Sequence, residues 1–205
     1  MFKSFFEIVN NDLHKASSRG DIDTVKSLLL NPNFCPDTRG EYGFTALHFA
    51  SRAGHVEIIE LLLDFGADIH VENKNNNTPL HSAAYGNQPQ AIFFLLSRNA
   101  DRHAQSKDGD TPLHSAAWKG HAPAIHALAN DRYTTDIRNK DGDTPLHLAA
   151  WNNHVQAIEA LKLLGANLDA QNLGGNTPED LAHQKQHENA VKVFQEFKTQ
   201  STYSI

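Results

Sequence analysis

KDGDTPLHSAAWKGH, Lys107 to His121, and KDGDTPLHLAAWNNH, Lys140 to His154, agree at eleven of their first twelve positions, Ser115 against Leu148 being the exception. They lie 33 residues apart. The same spacing extends outward in both directions. Thr45, Thr78, Thr111, Thr144 and Thr177 form one column; Leu47, Leu80, Leu113 and Leu146 a second; His48, His81, His114 and His147 a third. Ile59, Ile92, Ile125 and Ile158 form another, continued by Val191. A fixed period of this length marks a repeat architecture, in which each copy is one supersecondary unit stacked on its neighbours.

Each copy reads as two short helices and a turn. Thr before Pro is a helix N-cap with proline at the first helical position. Leu and the paired alanines share one face, and the small alanines allow close approach of the next helix. Gly54 and Gly120 end the first helix in a left-handed turn. Ile59 and Leu62 make the apolar stripe of the second helix, which Gly66 and Gly165 end in turn. Lys-Asp-Gly-Asp, present twice, is a turn tip between copies. Truncating a column residue such as Leu113 to alanine is expected to cost about 2–5 kcal/mol.

Composition narrows the function classes. The chain has 205 residues, 40% apolar, with a net charge of -6. No basic face is evident, which argues against nucleic acid. The longest apolar run is AIFFLL, Ala91 to Leu96, far short of a membrane-spanning helix. The start, MFKSFFEIV, lacks the apolar stretch of a signal peptide. Phe2, Phe5, Phe6 and Val9 recur there at helical spacing, as in a docking helix. Cys35 is the sole cysteine, so no internal disulfide forms and a reducing compartment is consistent.

TPLH, a following Ala pair, GH, a Leu-rich stretch and GAD together resemble the ankyrin repeat, whose period is 33 and whose signature is T-P-L-H-x-A. The resemblance covers roughly residues 11–198 in six units. It implies an all-α solenoid of helix-turn-helix units with β-hairpin or turn tips. The units divide as 1–40 (docking helix and N-terminal cap), 41–73, 74–106, 107–139, 140–172, 173–198 (C-terminal cap) and a flexible tail, 199–205. In the last unit Glu179 and Asp180 replace the Leu and His of TPLH, which suits a solvated end.

Most of the 13 histidines fall into this frame. His14, His48, His81, His114 and His147 occupy the TPLH position, and His55, His121 and His154 the GH position; in the family these brace helices and loops. His70 and His103 share a phase with Asp136 and Asp169 after the GAD position, and His126 falls on a second helix. His183 and His187, at i and i+4, leave a metal-dependent enzyme open as an alternative. No G-x-S-x-G, phosphate loop or Cys-His nucleophile pattern occurs. No cofactor is expected.

The resemblance implies recognition of another protein by a monomer, through the groove lined by first helices and tips. Positions not fixed by packing carry that specificity. After the Ala pair stand Arg52, Tyr85, Trp118 and Trp151, the aromatic three making an expected row about 20 Å long. Lys119 and Asn152 come next. The tips add Tyr42 and Phe44, then Lys107, Asp108 and Asp110, then Asp141 and Asp143. Aromatic side chains are common interface anchors; rings that merely cover neighbouring tips are the alternative, against which an exposed aromatic row would be a solubility liability. Adaptor, scaffold and inhibitor roles all fit. So does an effector in a host cytosol, with TQSTYSI as a sorting signal; otherwise the protein is cytoplasmic. An oligomer built through the Phe-rich start or Phe194 and Phe197 is a third possibility. At the GAD position Arg132-Tyr133-Thr134 departs from pattern, and Ala129 replaces a leucine. An altered turn is expected there, as a weak point or a second contact patch.

Overall fold

The computed structural model describes residues 12–32, 34–129 and 132–202. Phe2, Phe5, Phe6 and Val9 lie outside them. Helix α1 spans 12–19 and α2 Ile22–Leu29, followed by a tight turn at Glu41–Gly43. Then come α3 (Ala46–Ala53), α4 (Val56–Asp64), α5 (Pro79–Tyr85), α6 (Pro89–Ser97), α7 (Pro112–Trp118), α8 (Ala122–Leu128), α9 (Arg132–Thr135), α10 (Pro145–Trp151), α11 (Val155–Leu163), α12 (Pro178–Gln184) and α13 (Glu188–Thr202).

The chain divides into two compact units, residues 1–107 and 108–205. In the first, α3 and α5 pack side by side as a front layer, with α2, α4 and α6 behind. In the second, α10 packs between α7 and α12, with α8, α11 and α13 behind. The repeating columns form the cores. Leu47, Ile59, Leu62, Ile92 and Leu95 are wholly buried in the first unit, and Ile125, Leu146, Ile158 and Leu161 in the second. Ala116, Ala117, Ala149 and Ala150 are equally buried, their small size letting α7 and α10 lie close. No helix among the described residues is long and apolar enough to cross a membrane.

The Thr-Pro starts behave as their chemistry requires. Thr78, Thr111 and Thr144 are extended N-caps, each followed by proline in the first turn. The histidine three residues on completes a capping box: the Thr111 N–H donates to His114 Nδ1 at 3.2 Å, and the Thr144 N–H to His147 Nδ1 at 3.1 Å. At the C-terminal end Asp180 takes over, accepting from the Thr177 N–H at 2.8 Å.

Of the two forms expected of the tips, turns are the one present, and no strand occurs among the described residues. Within a unit, successive tips are joined by single backbone bonds, Lys74 N–H to Tyr42 O (2.9 Å), Lys140 N–H to Asp108 O (3.0 Å) and Leu173 N–H to Asp141 O (3.0 Å), too few for a ladder. Helix α13 runs on to Thr202, taking in residues assigned to a flexible tail. Phe194 is buried and packs edge-on against Phe197 at 6.5 Å, which removes it from any surface for oligomerisation. The altered turn is present. α8 has 7 residues where α11 has 9; Ala129 is extended and the short helix α9 follows.

Candidate functional site

The second unit carries a groove of about 300 Å³ along its front layer. Trp118 and Trp151, Asp108, Asp110, Asp141 and Asp143 line it, together with Asn139, Leu148, Asn172 and Leu181. Six of the thirteen residues expected at a partner site are thus brought together.

Each tryptophan is the last residue of a helix whose preceding alanines are buried, so its backbone is fixed while its ring emerges. The next copy adds a brace. His154 Nε2 lies 3.0 Å from the Trp118 carbonyl oxygen, and His187 Nε2 3.0 Å from that of Trp151. The two residues remain 45% and 36% exposed. Lys185 places its ammonium 3.6 Å from the centroid of the Trp151 ring.

The acidic wall is built by the tips. Asn139 Oδ1 accepts from the Asp141 and Asp143 N–H groups, both at 3.0 Å, while its Nδ2 donates back to Asp110 at 2.8 Å. Asn172 does the same one copy later, donating to Asp143 at 2.7 Å. Gly109 and Gly142, with φ of 81° and 77°, allow the turns. Burial pushes the Asp110 carboxyl above its usual range; the Asn139 bond opposes this, and Asp108, Asp141 and Asp143 add to it.

The remaining expected residues lie elsewhere. Arg52 stacks over Tyr85 in the first unit, 4.8 Å from the ring centroid. Tyr42 is 63% exposed with φ of 55°. Phe44 is half-buried, packing on His48 at 5.4 Å and Phe49 at 5.8 Å. Lys107 is exposed, its N–H bonded to Asn75 O. Lys119 is half-buried, and Asn152 turns its amide to the Leu148 carbonyl at 2.9 Å.

Lys185 and the Asn139–Asn172 pair were missed from sequence. Each stands in a 33-residue column: Lys185 after Lys119 and Asn152, Asn172 after Asn73, Ser106 and Asn139. His183 and His187 do not converge. His187 belongs to the GH column and faces the Trp151 carbonyl, while His183 lies 3.9 Å from Glu179. Among the described residues no three His, Cys, Asp or Glu side chains are placed to hold a metal ion.

Comparison with known proteins agrees with the architecture. A family model described as ankyrin repeats matches residues 13–106, 84–172 and 132–201. The mouse 2-5A-dependent ribonuclease is 44% identical over 73 residues, 34% of this chain and 10% of that protein. The 26S proteasome non-ATPase regulatory subunit 10 of Dictyostelium discoideum is 41% identical over 56 residues, 27% of this chain and 24% of that protein. The human NAD-capped RNA hydrolase NUDT12 is 32% identical over 76 residues, 37% of this chain and 16% of that protein. The matched stretches thus span a quarter or less of each relative's length. Ankyrin repeats are protein–protein interaction modules, and this chain belongs to the ankyrin-repeat family.

Proposed function

We propose that the chain is a non-catalytic binding module, an adaptor, scaffold or inhibitor, whose partner protein docks along the front face and anchors on Trp118 and Trp151. One observation carries this reading. Two tryptophans on backbones fixed by buried alanines and by histidine bonds remain more than a third exposed, side by side in a groove with a charged edge. A large aromatic ring held rigid and wet, rimmed by polar groups, is how interface anchors are arranged. That repeat elements occupy every long segment among the described residues supports the non-catalytic half of the reading.

Site-specific photo-cross-linking tests it. Benzoylphenylalanine replacing Asp141, on the groove, is expected to give partner adducts in lysate, and the same group replacing Glu159, on the back helix α11, is not. Trp118→Ala with Trp151→Ala is expected to remove the adduct at 141. Adducts at 159 alone would place docking on the other face and refute the reading.

A further inference from the structure

The groove's charge and its rings point to one kind of occupant. Building on the docking reading above, we propose that a basic segment of the partner lies in the groove, seating an arginine side chain over the Trp118 ring against the carboxylates of Asp108, Asp110, Asp141 and Asp143.

The repeats supply their own controls. The tip at 74–77 is Lys-Asn-Asn-Asn and the tip at 173–176 is Leu-Gly-Gly-Asn. Both make the turn seen at the acidic tip of Asp141 and Asp143: Asn73 Oδ1 accepts from the Asn75 and Asn77 N–H groups, and Asn172 Oδ1 from those of Gly174 and Asn176. The turn therefore demands no carboxylate. Four of them nonetheless surround the one groove that holds the tryptophans.

The chain already places cations on this ring position. Lys185 covers Trp151, and Arg52 covers Tyr85. Shifted back by 33 residues, Lys185 and Trp151 become Asn152 and Trp118. Asn152 is neutral and turns back to its own helix. Trp118, the more exposed ring, thus has the acidic surroundings of a cation seat without a lysine at the equivalent position. A cation there also relieves the repulsion that Asp110 feels from its three neighbours. The carboxylates are spread along two tips and form no metal-binding cluster, which suits an extended charged side chain. Guanidinium fits both walls: it is planar enough to stack on indole and forked to meet carboxylates, and it is more weakly hydrated than ammonium.

The chain's only two tryptophans both line this groove, so tryptophan fluorescence of the full chain reports on it alone. The probe is a short glycine–serine peptide carrying two arginines, read against the same peptide with citrulline. The arginine peptide is expected to give a saturable change, and the citrulline peptide to bind about tenfold more weakly or worse. Asp108→Asn with Asp141→Asn is expected to weaken binding by about the same factor. Asn152→Lys, supplying Trp118 with the lysine that Trp151 has, should do likewise with every carboxylate intact. Raising salt from about 0.1 M to about 1 M, which shortens the screening length from about 10 Å to about 3 Å, should weaken it further.

Equal response to citrulline, no response to arginine, or indifference to both variants overturns the proposal. So does concentration-dependent self-association in sedimentation that occupies the groove with a second copy. Failure of the docking reading is separate. If cross-links at 141 persist and neither variant changes them, a partner docks there by other chemistry; if 141 never cross-links, the docking reading itself falls.

Discussion

His114 Nε2 lies 3.0 Å from the carbonyl oxygen of Asp143, 29 residues along the chain. Its Nδ1 accepts the Thr111 N–H, so the ring proton must rest on Nε2, which donates to that carbonyl. One neutral imidazole thereby starts a helix and ties it to the next tip. His48 does the same with Asn77 at 2.8 Å and His147 with Asn176 at 3.0 Å. A proton added at Nδ1 would meet an N–H that already points there.

Acid should therefore loosen the array. Burial, the largest influence, lowers both His48 and His114 to about 4, and lowers His14 and His147 as well. A base whose folded pKa is depressed stabilises the fold above its unfolded value near 6.5, and that contribution is lost as pH falls toward the folded value. His48 and His114 each stand to lose about 3 kcal/mol across the window from pH 6.5 to 4. Urea midpoints measured at intervals through that window should fall steeply. A flat profile would mean the rings are solvated.

Asp110 has the opposite sign. Its folded pKa is raised, so its carboxylate opposes folding at neutral pH and the penalty fades as pH falls through the folded value. Asn77 and Asn176 stand at the same phase of other tips, and an asparagine oxygen can still accept from Asn139. Asp110→Asn should therefore raise the melting temperature at pH 7 and leave it unchanged at acid pH, measured by circular dichroism.

Gly86 separates close approach from backbone freedom. Its φ is ordinary, yet a Cβ there would lie 2.1 Å from the Arg52 carbonyl oxygen. This copy has Gln88 at the GH position, so no histidine reaches that carbonyl, and bare glycine backbone sits against it. Gly86→Ala should cost about 1–3 kcal/mol as overpacking. Gly66→Ala meets nothing within 4 Å but requires a φ of +88°. It should cost about 1 kcal/mol. Equal losses in denaturant titrations would contradict the crowding at Gly86.

The columns were legible because each copy puts the same residue in the same surroundings, so Thr, Leu, the alanines and the TPLH histidines declared the helices, their starts and their packed faces. Legibility failed where a role depends on the neighbour. Lys185 is a polar residue of a cap until Trp151 is seen beneath it. The GH column is broken by Gln88, which hid His187 among residues offered to a metal. The tips alternate polar residues and glycines compatible with either hairpin strands or turns, and only the single bond between successive tips decides for turns. Of the thirteen side chains expected at the partner face, Trp118 and Trp151 with the four tip aspartates converge because adjacent copies repeat their phase. Phe44 does not, because His48 and Phe49 offer it an aromatic nest.

Size and burial make opposing forecasts for the front helices of the second unit, and burial should win. Leu146 is wholly buried on α10, between α7 and α12. Its truncation to alanine leaves a cavity facing two neighbours and should cost about 2–5 kcal/mol. Trp118 is far larger, but 45% of it is exposed and its backbone is held by His154 whatever the side chain. Trp118→Ala should cost only about 1–2 kcal/mol, for the apolar area actually covered. Guanidinium titrations of the two variants decide the matter. If Trp118→Ala proves the costlier, the ring is a lid over its own repeat and not a surface kept for a partner.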